Sequence, residues 1–156
     1  MEEQDRILKI RSRRIRVRDL FRLSTAFDMA ESKHFPSDLR IYHIQNTNRV
    51  TQVTSSYFDD QEALKRIYTY QEEEHQTSSD GVQKKIVRPM IKEPREYNNQ
   101  IKKLMEQEVR IGLYVFPSSV MDHLMEAGVH HTVIAGLWPI FDLPDMPDEE
   151  EKNAAA

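Results

Sequence analysis

Val109-Arg110-Ile111-Gly112-Leu113-Tyr114-Val115-Phe116 is a nearly unbroken apolar run. A short run of this kind is expected of a strand covered on both faces. Pro117-Ser118-Ser119 breaks it. Ser119 offers a cap for a short helix, Val120 to Ala127, with Asp122 in its first turn, and Gly128 suits the left-handed closing position. Val129 to Ala135 (VHHTVIA) then reads as a second strand. Upstream, Pro94 is well placed as a first helical residue, and Tyr97, Ile101, Leu104 and Met105 give that helix one apolar face as far as about Glu108. Helix, strand, helix, strand over 94–135 is the order of parallel α/β units.

Outward from this unit the periodicity changes several times. Leu20, Leu23, Phe27 and Ala30 lie on one helical stripe, which predicts a helix over 19–32 opened by Asp19 and closed before Pro36. Residues 39–58 are rich in β-branched and aromatic types around Asn46-Thr47-Asn48, which predicts a hairpin with strands at about 39–45 and 49–57. Asp59 and Glu62 have the spacing of a capping box, and Leu64, Ile67, Tyr68 and Gln71 follow at helical spacing. The stretch from Glu72 to Gly81 has no apolar signal and reads as a mobile loop, and 86–92 reads as extended ahead of Pro89. At the N-terminal side, Ile15 and Val17 alternate with Arg14, Arg16 and Arg18, the period of a short edge strand.

The expected architecture is therefore α+β or α/β. It is a single small domain over 19–143, with a β-hairpin and a small mixed sheet packed by three or four helices. A basic segment, 1–18, precedes it, and an acidic disordered tail, 144–156, follows. A chain of 156 residues is sized for one domain and can bury a core without metal or disulfide staples. It contains no cysteine, which excludes a disulfide framework, thiolate metal ligands and a cysteine nucleophile. The N-terminal stretch carries charge throughout and lacks the apolar run of a signal peptide, and no stretch is apolar for the length of a membrane span. The expectation is a cytoplasmic protein with no membrane partner, or a nuclear one in a eukaryotic cell.

The stretch Gly112-Leu113-Tyr114-Val115-Phe116-Pro117, with Glu126-Ala127-Gly128-Val129 and Trp138-Pro139, resembles the second half of Rossmann-type CoA- or NADH-binding domains. Those have a buried strand ending in a proline-bearing turn, a helix closed by glycine, a strand and a proline-containing loop. The resemblance covers at most a third of the chain and implies α/β geometry and a small nucleotide- or CoA-binding domain. The phosphate-binding fingerprint of such domains is missing, since four glycines in all leave no glycine-rich loop. No functional residue is carried over from it.

No constellation of catalytic or metal-ligating residues stands out, and no cofactor is expected. Neighbours on a strand point to opposite faces, so His130 and His131 would not share a metal. Ser118 and Ser119 near His123 lack the G-x-S-x-G setting of an activated serine and suit helix capping. Asp59-Asp60 and Glu72-Glu73-Glu74 are explained by helix ends.

Charge is more informative. The net charge of −4 hides opposite blocks: residues 6–22 hold eight Arg or Lys against Asp19, and residues 142–152 hold six acids against Lys152. All but one of the eight cations are arginine, whose fork suits carboxylates and phosphates. Arg11, Arg13, Arg14, Arg16 and Arg18 form the candidate anion- or partner-binding set. Three readings stay open for it: an acidic protein partner, a nucleic acid, or an edge strand whose charges prevent aggregation or pair with the chain's own acidic tail. No aromatic interleaves the run before Phe21, so base stacking has little support. Trp138, Ile140, Phe141 and Leu143, set among acids and prolines, either dock on a partner or close over the core. The function expected from these features is that of a non-enzymatic interaction, adaptor or regulatory protein, alone or as a homodimer. The alternative is a nucleic-acid-binding protein using the Arg-rich segment 6–22.

Overall fold

The computed structural model describes residues 6–141. The chain is α+β, with five α-helices and two two-stranded antiparallel sheets among the described residues. The order is β1 (Ile10–Arg16), α1 (Val17–Met29), α2 (Arg40–Tyr68), β2 (Thr69–Thr77), β3 (Gln83–Ile91), α3 (Pro94–Glu106), β4 (Glu108–Tyr114), α4 (Ser119–Glu126) and α5 (His131–Gly136). Two compact units divide it: residues 1–56 with 106–156, and residues 57–105.

In the first unit β1 pairs with β4, antiparallel, from Ile10 opposite Tyr114 to Arg16 opposite Glu108. The basic lead-in is thus a strand of the fold, longer than its Ile15–Val17 alternation suggests. Ile15, Val109, Ile111 and Leu113 face the core, while the intervening residues are exposed or half-exposed, so β4 is covered on one face and not on both. The core beneath it is built from Val17, Leu20, Leu23 and Phe27 of α1, with Phe35, Leu39, Val50, Phe116, Leu124, Leu137, Ile140 and Phe141. Helix α1 starts two residues earlier than its stripe predicts: Arg16 holds the cap position and Asp19 lies inside the first turn.

The hairpin expected at 39–57 is the first half of α2. The residues of this stretch that bury are His43, Asn46 and Val50, following Leu39, and they are spaced as one face of a helix. Two of the four are polar, so a hydrophobic pattern does not show the stripe. The β-branched threonines are accommodated because Thr47, Thr51 and Thr54 each donate their hydroxyl to the carbonyl four residues back. The helix runs on through Asp59-Asp60, so the acids expected to cap a new helix lie in its interior.

The strand expected at 129–135 is α5. His130 caps it, its Nδ1 accepting from the Thr132 amide at 3.2 Å, and Ile134 turns into the core. No edge for a parallel strand is vacant at the end of β4. One edge pairs with β1, and at Tyr114 the other is occupied by Asn46, whose amide donates to the Tyr114 carbonyl at 2.9 Å and accepts from its N–H at 2.8 Å. The parallel α/β order, and the Rossmann-type geometry it implied, are therefore absent from the described residues. Helix α5 packs on α1 instead, and Gly136 lets it approach: a Cβ there would lie 3.3 Å from the Ala26 Cβ and 3.5 Å from the Arg22 carbonyl.

The second unit holds the last turns of α2, the hairpin β2–β3 and α3. The loop expected over 72–81 is mostly strand, and the hairpin closes through Ser78, Asp80 and Gly81, the last at φ 78°. Nearly every hairpin residue is exposed on both faces, which explains why no alternating apolar pattern marks β2. Diagonal pairs replace it: Lys85 lies 2.9 Å from Glu73, and Arg88 lies 3.9 Å from Glu74. Lys92 N donates to the Tyr68 carbonyl, which makes the even-numbered pairs the bonded ones. Pro89 therefore turns its missing N–H toward the outer edge, where it costs no ladder bond. Helix α3 starts at Pro94 as its sequence predicts.

A candidate anion-binding face on β1 and β4

Pairing sorts the arginines of β1 into two rows. Val115 N donates to the Lys9 carbonyl, so the odd-numbered pairs of this ladder are the bonded ones. The row toward the core reads Arg11 opposite Leu113, Arg13 opposite Ile111 and Ile15 opposite Val109. The outward row reads Ile10 opposite Tyr114, Ser12 opposite Gly112, Arg14 opposite Arg110 and Arg16 opposite Glu108.

Arg14 and Arg110 form a non-bonded pair, the kind whose side chains stand closest in an antiparallel ladder. Like charges directly opposite are unfavourable unless an anion sits between or beside them. Glu108 supplies one carboxylate, its Oε2 being 3.6 Å from Arg14 Nε, and both arginine side chains are engaged. Arg14, Arg16 and Arg110 are all exposed, so three guanidiniums share this face with one carboxylate. Arg110 is missing from the expected set. Its signal is present in the sequence, as the lone charge inside the run Val109 to Phe116.

Arg13 is half-buried on the other row. Its Nη2 donates to the Phe141 carbonyl at 3.2 Å, and its Nε is buried with no acceptor among the described residues. Arg11 is exposed and engaged, and Arg18 is exposed in the first turn of α1. The five expected arginines are therefore distributed: Arg14 and Arg16 face outward, Arg11 and Arg13 point along the core side, and Arg18 stands on the helix. Arg6 grips Asp38 through three bonds, Nε to Oδ2 at 2.9 Å, Nη2 to Oδ1 at 3.0 Å and its backbone N–H to Oδ2 at 3.2 Å, and this pairing holds the Asp38 carboxyl down to about 2.

Ile140 and Phe141 are buried in the core of the first unit, with Phe116 N donating to the Ile140 carbonyl at 2.7 Å. Of the alternatives for this segment, closure over the core is where these two side chains stand, and neither is presented to a partner. Trp138 is half-buried and lines a groove of about 560 Å³ between α1 and α5, with Phe21, Met29, Val133 and Gly136. Leu143 and the acidic tail 144–156 lie outside the described residues.

The remaining candidates for chemistry do not converge. The rings of His130 and His131 stand together, 4.1 Å apart, because both lie at the start of α5 and not on a strand as expected. His130 Nδ1 is committed to Thr132, and among the described residues no group of three His, Asp or Glu could hold a metal ion. Ser118 holds the cap position of α4 without a side-chain cap bond, so the expected capping role for the serines is not made. His43 is buried between Phe35, stacked at 4.1 Å, and Phe27, edge-on at 5.2 Å. Burial pushes its imidazole down to about 4 against a smaller opposing effect of the Ala30 backbone. It is a neutral core side chain. No helix among the described residues is long and apolar enough to cross a membrane.

Compared with known proteins, the chain matches no family model, no curated protein and no solved structure.

Proposed function

We propose that this is a non-enzymatic interaction or regulatory protein that binds an acidic protein segment on the outward face of β1 and β4. The observation that carries the reading is Arg14 standing directly opposite Arg110 on an exposed face, with Arg16 alongside and Glu108 the one acid in the row. Two planar forks side by side complement carboxylates two at a time. The overall charge of −4 favours an acidic partner only through this local face, so binding must be local and strongly salt-dependent.

Nucleic acid is the second reading, supported by the same arginine forks. The face gives bases little to stack on, because the ring of Tyr114 is already packed against Tyr42 at 4.8 Å and lies under Arg49. The test is fluorescence anisotropy with labelled polyglutamate and labelled single- and double-stranded DNA over a salt series. Polyglutamate should bind, and the double variant Arg14→Ser, Arg110→Ser should weaken it roughly tenfold or more. Binding of DNA and not polyglutamate moves the assignment to the second reading. Binding of neither removes both.

A further inference from the structure

We infer that the chain carries its own competitor for this face: the acidic stretch 142–152 docks on the arginines of β1. The regulatory meaning, that an outside acidic partner must displace the tail, rests on the function proposed above; the docking does not.

Position comes first. Phe141 is buried, its carbonyl accepts from Arg13 Nη2 at 3.2 Å, and it bridges in parallel to Phe116 just beyond β4. The described chain therefore ends within one side chain of the basic strand, on its Arg11–Arg13 row, and the edge of β1 away from β4, which pairs with no strand among the described residues, is all that separates that row from Arg14 and Arg16. A tethered segment that starts at its target needs little intrinsic affinity, because the tether supplies a high effective concentration.

Charge and reach agree with position. Strand β1 carries Arg11, Arg13, Arg14 and Arg16 and no acid, whereas 142–152 carries six acids against Lys152. Ten extended residues reach roughly 30 Å, which exceeds the roughly 23 Å of a seven-residue strand. The spacing of the acids is also regular. Asp142, Asp145, Asp148 and Glu151 recur every third residue, with Pro144 and Pro147 between them. A period of three is that of the left-handed extended form, which prolines favour over a helix, and in that form carboxylates so spaced would share one side.

The test uses the full-length chain and a full-length variant with Asp142→Asn, Asp145→Asn, Asp148→Asn, Glu149→Gln, Glu150→Gln and Glu151→Gln. All six positions lie beyond the described residues, and circular dichroism checks that the fold is kept. The probe is a fluorescein-labelled peptide of residues 142–152, read by anisotropy. The neutralised variant should capture the peptide in a salt-dependent manner, and the natural chain should capture it at least roughly tenfold more weakly because its own tail is already there. Equal capture by both chains, or capture by neither, overturns the inference. A dimer of the natural chain that the neutralised variant loses in analytical ultracentrifugation also overturns it, since the tail would then occupy a second copy. Polyglutamate separates this inference from the function proposed above. If both chains bind it equally well, tail docking fails and the acidic-partner reading stands. If neither binds it while the variant still captures the peptide, the reverse holds.

Discussion

The side-chain amide of Asn46 substitutes for a strand at Tyr114, meeting both the carbonyl and the N–H of that one residue at 2.9 and 2.8 Å. Asn46 is fully buried and Tyr114 half-buried, so the amide is the partner that both backbone groups would lose. Asn46→Ala should therefore cost about 2 kcal/mol or more, since each such group left unmet costs roughly 1–3 kcal/mol. Asn46→Asp should cost more, because a carboxylate cannot donate to the Tyr114 carbonyl. Urea unfolding followed by circular dichroism checks both values, and an alanine variant as stable as the parent would mean that the amide is dispensable to the edge.

The same residue shows where the sequence is opaque. Asn46-Thr47-Asn48 has the composition of a turn, and its flanks have the composition of strands. Only the partner at Tyr114, 68 positions away, reveals that Asn46 belongs to a buried helical stripe with His43 and Val50. Helices α1 and α4 are legible because their buried residues are apolar and correctly spaced, and α3 because Pro94 opens it and half-buried Tyr97 and Ile101 share a face with buried Leu104. Strand β1 is legible only in part: Ile15 alternates with Arg14 and Arg16, but Val17 of the same pattern belongs to α1 and Ile10–Arg13 lie outside it, whereas β4 is legible because it is apolar, although its cover on one face alone is not. Helix α5 is hidden by Thr132, Val133 and Ile134, whose β-preference is overridden once both edges at the end of β4 are taken. Arg14 and Arg16 of the candidate face belong to the set expected from the sequence, but Arg110 does not: it joins Arg14 only through the register.

His43 should make stability fall in mildly acidic solution. In the unfolded chain its imidazole protonates near 6.5, and in the folded chain only near about 4, because burial between Phe27 and Phe35 disfavours the charged ring. Between those values the unfolded state binds more protons, so stability is full above pH 6.5 and falls as pH drops toward 4, by up to about 3 kcal/mol in all. Asp38 titrates in a separate window: with a usual carboxyl value of 3.8 lowered to about 2, its contribution is present above 3.8 and is lost as pH falls through about 2. Urea midpoints at several pH values check this. His43→Phe, which keeps a flat ring in the stack, should flatten the profile between 6.5 and 4; an unchanged slope would assign that loss to other groups.

Gly136 should tolerate no large side chain. Its ideal Cβ would stand 3.3 Å from the Ala26 Cβ and 3.5 Å from the Arg22 carbonyl, across the α1–α5 packing. Alanine would gain roughly 1 kcal/mol of helix propensity while crowding Ala26, and these offset each other. Gly136→Leu has no such compensation and should destabilise by about 2 kcal/mol or more as the two helices are forced apart. Thermal melts of the two variants separate the cases: alanine within a few degrees of the parent, leucine well below it.

Trp138 and Phe141 should differ sharply, although both are aromatic and only three residues apart. Phe141 is 1% exposed and packs at 6.4 Å from Phe116, so Phe141→Ala removes a ring from a closed core and should cost about 3–5 kcal/mol. Trp138 is half-buried at the rim of the α1–α5 groove, where part of its surface already faces water. Trp138→Ala should cost less, about 1–2 kcal/mol, since the effect scales with the apolar area removed from water. At the arginines the two variants should agree. Losing the Phe141 ring disturbs the segment whose carbonyl holds Arg13, but Arg13 stands on the core-side row, and Trp138 lines the groove between α1 and α5. Anion binding on the outward row of Arg14, Arg16 and Arg110 should therefore survive both variants at temperatures where they are folded. Paired measurements of melting temperature and polyglutamate affinity on the two variants test this. Equal melting temperatures would show that the segment after α5 does not close the core, and the placement of Ile140 beside Phe141 would have to be abandoned with it.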